Sequence, residues 1–410
     1  MKKYIPVILF LGLFACNQSS VEREEHIDKL QQSGLSEEEL YDKVLGMLVG
    51  SAIGDAMGAP TEMWSRENIA LEYGYVTDLD SMIREVSPEG IWIANLPAGG
   101  TTDDTRWKVL ATDYLLTQSG NRLNSKDFAS QILKTYEKSL EKLKAIDSNN
   151  PQPYESALLE VNWLSEWAKV SQPFLDDNLP AFADSLSKFY GGEMVCAGLL
   201  YAPAIGMYFP GNPEKAYSEG YKLTLYDLGY ARDISSLAMA MTAAGMKKDA
   251  KKEDLLAALR LDPEKYFESR LVGRTSHKIL KDALWINEES KKLDSLESMT
   301  SNSPALLHAF QLLDQKQQDM PFHAGEIYLQ SLTAMVYADF DFKNSLIFLV
   351  NYGRDNDTTA ALVGGILGSW YGFEQLPEKE KWQVLKVNKE ILGIDLEEKA
   401  KLLTAHMIKK

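Results

Sequence analysis

Carboxylate and hydroxyl side chains are concentrated in two short segments. Residues 99–105 read GGTTDDT and residues 353–359 read GRDNDTT, and in each segment a glycine-marked turn leads into a predicted helix. Adjacent or alternate carboxylates beside hydroxyl groups are hard oxygen ligands, the kind that Mg²⁺, Mn²⁺ and Ca²⁺ prefer. The two segments therefore predict a site for divalent cations.

A simpler explanation is that these residues cap helices. Asp and Thr at a helix start accept hydrogen bonds from free backbone N–H groups, which would account for Asp103 or Asp357 taken singly. One cap needs one acceptor, and surplus carboxylates repel one another. Capping therefore leaves the second acid of each segment unexplained.

Other acidic and metal-binding motifs fit poorly. An EF-hand loop counted from Asp355 needs glycine at its sixth position and glutamate at its twelfth, where the chain has Ala360 and Ile366. The same segment matches the Asp-x-Asp-x-Thr string of haloacid-dehalogenase-like phosphohydrolases, but that string follows a buried strand, and here the surroundings are helical. The histidines show no ligand spacing and Cys196 stands alone, so a zinc site is not predicted.

The overall charge argues against nucleic-acid binding. The 410 residues include 43 Lys and Arg against 59 Asp and Glu, a formal net charge of −16. Neutralising a phosphate backbone needs clustered basic residues. Hydrophobic residues make up 45% of the chain, enough for a large core.

The N-terminus has the architecture of a secretory signal. Residues 1–16 read MKKYIPVILFLGLFAC, in which two lysines precede an apolar run too short to span a bilayer. The ending resembles a bacterial lipobox, which predicts a signal peptide over residues 1–15, lipidation of Cys16 and a location in the bacterial cell envelope, with membrane contact through the lipid anchor only. An ordinary signal peptide with an incidental cysteine is the alternative. Residues 16–36 are predicted to form a tether, and residues 37–410 a single folded domain.

Helical spacing dominates from Glu37 onward, with two rows of glycines on predicted helices. One row is Gly46, Gly50, Gly54 and Gly58, and the other is Gly364, Gly368 and Gly372. Each glycine costs a helix about 1 kcal/mol relative to alanine, so these rows predict a close backbone approach, plausibly of the two helices to each other.

The remaining pattern predicts an all-α chain. Strand-like alternation is short, for instance at 90–94, and no linker rich in Pro, Gly or Ser follows Ser36. Further helices are predicted at 105–119, 125–143, 154–170, 179–189, 213–226, 234–245, 253–261, 276–296, 303–314, 323–337 and 341–352. We therefore expect a single all-α domain.

Three motifs together resemble one known family. Residues 50–62 (GSAIGDAMGAPTE), residues 102–105 (TDDT) and residues 353–358 (GRDNDT) before a glycine-rich helix resemble the ADP-ribosylglycohydrolase family, which is related to dinitrogenase reductase-activating glycohydrolase. The motifs occur in family order. The resemblance implies a single orthogonal helical bundle with a binuclear site holding two Mg²⁺ or Mn²⁺ ions.

The resemblance also implies roles for particular residues. Glu62 matches an acidic residue implicated in catalysis, and Asp104 is expected to take part as well. Asp55 is expected to orient the site or bind substrate, and Arg354, where many members have glycine, to contact a substrate phosphate or form an ion pair. The implied metal ligands are Thr102, Asp103 and Asp104 on one side and Asp355, Asp357 and Thr358 on the other.

The function implied by the resemblance is divalent-metal-dependent hydrolysis. The expected enzyme is a glycosidase that cleaves the N- or O-glycosidic bond of ADP-ribosyl conjugates. One alternative is hydrolysis of another ribosyl compound or a nucleoside. The other is a non-catalytic surface binding lipoprotein of the same fold.

Overall fold

The structure is a computed structural model that describes residues 28–82, 96–146, 152–269, 271–294 and 299–409. The described residues form 18 α-helices and no β-strand. Their β-type pairing is confined to two isolated bridges, Trp64 with Arg354 and Val195 with His323. The prediction of an all-α fold is confirmed.

The helices follow one another through short connections. The first nine are α1 Lys29–Ser33, α2 Glu37–Gly58, α3 Arg66–Glu72, α4 Asp103–Leu115, α5 Ser125–Lys144, α6 Gln152–Leu175, α7 Leu179–Ser187, α8 Ala197–Met207 and α9 Pro213–Tyr221. The others are α10 Ala231–Gly245, α11 Lys252–Ala258, α12 Thr275–Lys291, α13 Pro304–Asp314, α14 Ala324–Tyr337, α15 Phe342–Tyr352, α16 Asn356–Tyr371, α17 Glu378–Glu390 and α18 Leu396–Ile408. Short 3₁₀ segments lie at Ala59–Thr61, Phe189–Gly192, Tyr266–Glu268 and Phe373–Gln375.

Helix α2 begins at a capping box and then enters the core. The Ser36 hydroxyl accepts a hydrogen bond from the backbone N–H of Glu39 at 3.1 Å, and the Glu39 carboxylate accepts one from the backbone N–H of Ser36 at 2.7 Å. From Val44 to Gly58 every residue of α2 is buried. A helix that is buried on all sides must meet other helices on every face.

The two glycine rows face each other. A Cβ atom added at Gly50 would lie 2.4 Å from the carbonyl oxygen of Gly364, and one at Gly364 would lie 2.2 Å from the carbonyl oxygen of Gly50. At the next contact, a Cβ at Gly58 would lie 2.4 Å from the Cα of Asp357. Helices α2 and α16 are therefore antiparallel and in backbone contact, as predicted, and the end of α2 meets the start of α16.

Most predicted helices are present, and one missed helix shows why pattern alone fails. Helix α8 is apolar on every side and carries Pro203 within it, so it has no amphipathic period to detect. Helices α1, α3, α17 and α18 were also not predicted, and α9 ends at Tyr221 rather than at 226. The strand-like alternation at 90–94 lies outside the described residues.

The structure describes only part of the segment that the N-terminal predictions cover. The predicted signal peptide and Cys16 lie outside the described residues. Within the predicted tether of residues 16–36, Lys29–Ser33 form α1. This part of the chain packs on the domain: Leu35 joins the core with 6% of its surface exposed, and the Lys29 ammonium lies 2.9 Å from the centre of the Tyr208 ring. The described helices include none with the length and apolar character needed to cross a membrane.

Gly364→Ala should destabilise the protein. The added methyl group would meet a backbone carbonyl of α2 at 2.2 Å, and neither helix can move without breaking its other contacts. We expect the free energy of unfolding to fall by about 3 kcal/mol, measured by urea denaturation, whereas Glu38→Ala at the exposed start of α2 should change it little. An unchanged midpoint for Gly364→Ala would contradict the backbone contact.

Candidate metal centre

Acidic side chains from distant parts of the chain meet in one cavity. The cavity has a volume of about 350 Å³ and lies where the end of α2 and the starts of α4 and α16 converge. It is lined by Glu62, Met63, Asp103, Asp104, Trp167, Tyr190, Val195, Cys196, Ala197, Leu200, Phe322, Asp355, Asp357 and Thr358. The two acidic segments of the sequence thus form one site.

Three carboxylates form the tightest group. One oxygen from each of Glu62, Asp355 and Asp357 lies within 4.8 Å of the others, and all three side chains are buried. Glu62 follows the 3₁₀ segment after α2, and Asp355 and Asp357 lie at the N-terminus of α16. The positive end of a helix dipole favours negative groups at that position. Carboxylate oxygens within 4.8 Å of one another are close enough to bind the same divalent cation.

Backbone contacts hold the two loops of this group together. The Met63 N–H donates to the Arg354 carbonyl at 2.7 Å, and the Arg354 N–H donates to the Trp64 carbonyl at 3.1 Å. Met63 and Arg354 have φ angles of 63° and 65°, in the left-handed region. Gly353 has φ 88°, and a Cβ there would lie 2.5 Å from the Trp64 carbonyl oxygen. Glu62 is thereby fixed beside Asp355.

Asp55 lies beneath the cavity. Its carboxylate accepts hydrogen bonds from the backbone N–H of Thr102 at 3.0 Å and of Thr105 at 2.9 Å, and from both threonine hydroxyls. It is fully buried and is not among the residues that line the cavity. Of the two roles expected for Asp55, orienting the site agrees with this geometry, because Asp55 attaches the start of α4 to α2.

Thr102 also lies behind the cavity wall. It is the N-cap of α4, and its hydroxyl lies 3.0 Å from Asp55 and 3.3 Å from Asp357 Oδ2. Capping therefore explains Thr102. It does not explain Asp103 or Asp357, which lie in the first turns of their helices, and the side chain of Asp355 makes no cap hydrogen bond.

Asp104 is held by two neighbours. The ammonium group of Lys108, which is 1% exposed, donates to Asp104 Oδ1 at 2.8 Å, and the Thr358 hydroxyl donates to Oδ2 at 2.9 Å. The second contact joins α4 to α16. The sequence analysis missed Lys108, although its spacing of four residues from Asp104 on one helix face was the available signal.

Burial raises the pKa of several of these carboxyl groups. Loss of hydration raises the pKa of Asp355 to about 7 and that of Asp103 to about 7, and the charge of Asp104 adds to both effects. Burial, followed by the charge of Glu62, raises the pKa of Asp357 well above its ordinary value. Without a cation, Asp103, Asp355 and Asp357 therefore favour the protonated form more than ordinary carboxyl groups do.

The donor set fits a divalent cation. Oδ1 of Asp357 is buried and accepts no hydrogen bond from any described residue, which is costly for a polar atom unless a ligand contacts it. Asp355 and Asp357 would hold such an ion beside Glu62, and Asp103 and Asp104 line the same cavity. The predicted cation site is therefore chemically consistent with the residues that the structure brings together.

The side chain of Arg354 does not line the cavity. Its Nε donates to Glu326 Oε1 at 2.8 Å and its Nη2 donates to Glu326 Oε2 at 2.9 Å, while Nη2 also donates to the Gln318 carbonyl at 2.8 Å. Of the two expectations for Arg354, the ion pair is found. The expected contact with substrate phosphate is not supported, because a two-point pair with a buried carboxylate fixes the guanidinium elsewhere.

The apolar wall of the cavity escaped the sequence analysis. Tyr190 and Phe322 have ring centres 5.9 Å apart. Trp167 and Cys196 also line the cavity. These residues come from separate elements and share no motif. Only the packing of α6, α8 and the turn before α14 brings them opposite the acids.

Comparison with known proteins identifies the family of the chain. The sequence model of the ADP-ribosylglycohydrolase family matches residues 36–408. The chain belongs to the ADP-ribosylglycohydrolase family. The uncharacterized protein YegU of Escherichia coli (strain K12) is 30% identical over 79 residues, which cover 19% of this chain and 22% of YegU, so the match spans about a fifth of that relative.

A solved structure supports the fold. The structure of an ADP-ribosylglycohydrolase-related protein complex covers 91% of this chain and 100% of its own, with a TM-score of 0.53 and 18% sequence identity. This likeness concerns the fold alone. Members of the ADP-ribosylglycohydrolase family are typically metal-dependent, which is consistent with the acidic cluster at Glu62, Asp355 and Asp357.

Added cation should stabilise the protein more at high pH than at low pH. Because Asp103 and Asp355 have pKa values near 7 in the folded protein and about 3.9 when unfolded, the metal-free protein loses stability as pH rises from 4 to 7. A bound cation would compensate the negative charge of these carboxyl groups after their protons are lost. The rise in unfolding midpoint when Mn²⁺ replaces EDTA should be larger at pH 8 than at pH 5.5, and equal shifts would contradict this linkage. Asp355→Asn should reduce the difference.

Proposed function

We propose that this protein is a divalent-metal-dependent glycosidase that hydrolyses the N- or O-glycosidic bond of ADP-ribosyl conjugates. The observation that carries the proposal is the buried group of Glu62, Asp355 and Asp357, whose oxygens lie within 4.8 Å of one another in a cavity of about 350 Å³. Family membership supports hydrolysis at a ribosyl group.

The proposed cofactors are two Mg²⁺ or Mn²⁺ ions. Asp355 and Asp357 would hold one beside Glu62, and Asp103 and Asp104, with Thr358, would contribute to holding the other. When bound, the ions supply positive charge that orients the ribose hydroxyls and stabilises charge developing near the anomeric carbon.

Glu62 is the proposed acid–base residue. Water adds to the anomeric carbon while the bond from that carbon to the aglycone breaks, and the bonding electron pair leaves with the aglycone. Glu62 accepts a proton from the attacking water and passes it to the aglycone as it leaves, so that no net proton is gained or lost. Its fixed place beside Asp355, enforced by the Met63–Arg354 backbone pair, suits this role.

Asp104 is the second catalytic residue of the proposal, and its role is to help hold a cation at the cavity wall. Lys108 and Thr358 hold both of its oxygens, so its position is set before substrate binds. The buried ammonium of Lys108 also keeps the charge on Asp104 compensated at the cavity wall.

Hydrolysis of another ribosyl compound is the second candidate. The apolar wall of Tyr190, Phe322 and Trp167 would accept the aromatic base of a nucleoside equally well. A non-catalytic binding protein is less well supported, since binding alone does not require a full set of buried acids.

Asp357→Asn and Glu62→Gln should each lower the rate of ADP-ribose release about 100-fold or more while leaving the protein folded, because both replacements exchange a carboxylate oxygen for an amide nitrogen and keep the side-chain volume. Release from arginine-linked and serine-linked conjugates is measured with Mg²⁺ or Mn²⁺, and Glu67→Gln on the exposed face of α3 is the control. Absence of ADP-ribose release and of ADP-ribose binding by the wild-type protein would overturn the substrate assignment.

We further propose that the protein is lipid-anchored at Cys16 in the bacterial cell envelope, with an ADP-ribosyl or other ribosyl compound as its partner and no nucleic acid. The apolar run before Cys16 supports this proposal. In a bacterial host, Cys16→Ser should move the full chain from the membrane fraction to the soluble fraction, whereas Cys196→Ser should not. Soluble wild-type protein would contradict the anchor.

A further inference from the structure

Glu326, in the first turn of α14, is a buried carboxylate that the proposed mechanism does not use. It is 3% exposed and does not line the cavity of the metal centre. Besides two hydrogen bonds from Arg354, it accepts one from the backbone N–H of Gln318 at 2.7 Å and one from the Gln330 amide at 2.8 Å. These four hydrogen bonds hold the carboxylate in one position.

On one side, this carboxylate holds the loop that carries the acids. Arg354, its partner, directly precedes Asp355 in the chain. The backbone of Arg354 is itself paired with Met63 and Trp64 in the loop after Glu62. Because a guanidinium group and a carboxylate joined at two points fix orientation as well as distance, the acidic loop is attached to α14 immediately before Asp355.

On the other side, the residues at the start of α14 hold the apolar wall of the cavity. The backbone N–H of Cys196 donates to the Phe322 carbonyl at 3.0 Å, and the N–H of Ala324 donates to the Met194 carbonyl at 2.9 Å. These two bonds flank an isolated β-bridge. Phe322 and Cys196 both line the cavity. The start of α14 therefore contacts both the acidic side and the apolar side.

We propose that Glu326 and Arg354 are positioning residues that set the width of the cavity between Asp355 and Phe322. This inference rests on the proposed function. Mg²⁺ requires its ligands at closely defined distances, and a ribosyl group held between a cation and the apolar wall needs a gap of constant width. Neither positioning residue touches the cation or the substrate, and each acts through the backbone that it holds.

Loss of the ion pair can be separated from a change in charge. Arg354→Met alone leaves Glu326 buried without its cation, which lowers stability, and the added negative charge would itself strengthen cation binding. Arg354→Met combined with Glu326→Gln removes one charge of each sign. The local net charge is then the same as in the wild type, so weaker cation binding by this double variant would report a change in position.

The test measures Mn²⁺ binding to the full protein by electron paramagnetic resonance, without substrate. The double variant should bind Mn²⁺ about tenfold more weakly, the loss typical when a group that orients a metal ligand is removed. Arg354→Lys keeps the charge but not the two-point contact, and its affinity should lie between those of the double variant and the wild type. Amide hydrogen exchange at Cys196 and Ala324 should be about tenfold faster in the double variant.

The matched control is Lys343→Met combined with Glu380→Gln. The Lys343 ammonium donates to Glu380 at 2.8 Å, and Glu380 is a buried carboxylate outside the cavity. The control therefore loses an ion pair to a buried carboxylate, here between α15 and α17. It should bind Mn²⁺ as the wild type does.

The outcomes separate this inference from the proposed function. Wild-type Mn²⁺ affinity in the Arg354 and Glu326 double variant would overturn the inference, even if the protein cleaves ADP-ribosyl conjugates. Equal weakening in the control would overturn it too, because the loss of any buried ion pair would then have the same effect. Weaker binding in the double variant alone would support the inference, even if the wild type cleaves no such conjugate and the substrate assignment fails. A wild-type protein that binds no Mn²⁺ would overturn both.

Discussion

The backbone contact between α2 and α16 is the constraint on which the rest of the molecule depends. Glycines on both helices let carbonyl oxygens approach where any Cβ would clash, as at Gly50 and Gly364. Because the helices are antiparallel, the contact brings the end of α2, followed by Glu62, to the start of α16, where Asp355 and Asp357 lie. The glycine rows lower the intrinsic stability of both helices. They also allow the close contact that aligns the end of α2 with the start of α16.

Helix α4 is fastened to this pair by polar contacts. Asp55 of α2 binds the first turn of α4, and Thr358 of α16 binds Asp104. Both oxygens of Asp55 accept hydrogen bonds, whereas Oδ1 of Asp357 accepts none from any described residue. Buried acids of the first kind position the helices, and those of the second kind are suited to bind a cation.

The sequence predicted the fold where its pattern was periodic. Most of the helices, the contact of the glycine rows and the two acidic segments could be predicted because each leaves a local signature in spacing or composition. Helix α8 could not, since it is buried on all sides and has no polar face. The packing of residues 28–36 was also missed, because a short polar segment with one buried leucine resembles a linker until its binding surface is known.

By itself, the sequence determined an all-α chain with hard oxygen ligands in two segments, because helical periodicity and clustered acids are local properties. Only the tertiary structure decided which of those acids meet. It placed Asp55 and Thr102 behind the cavity, turned Arg354 toward Glu326 and away from the cavity, and added Lys108 and the aromatic wall at Tyr190. The physical reason is that burial and contact depend on how distant helices pack, and the same residue type can bind a ligand, cap a helix or pair with a charge according to that packing.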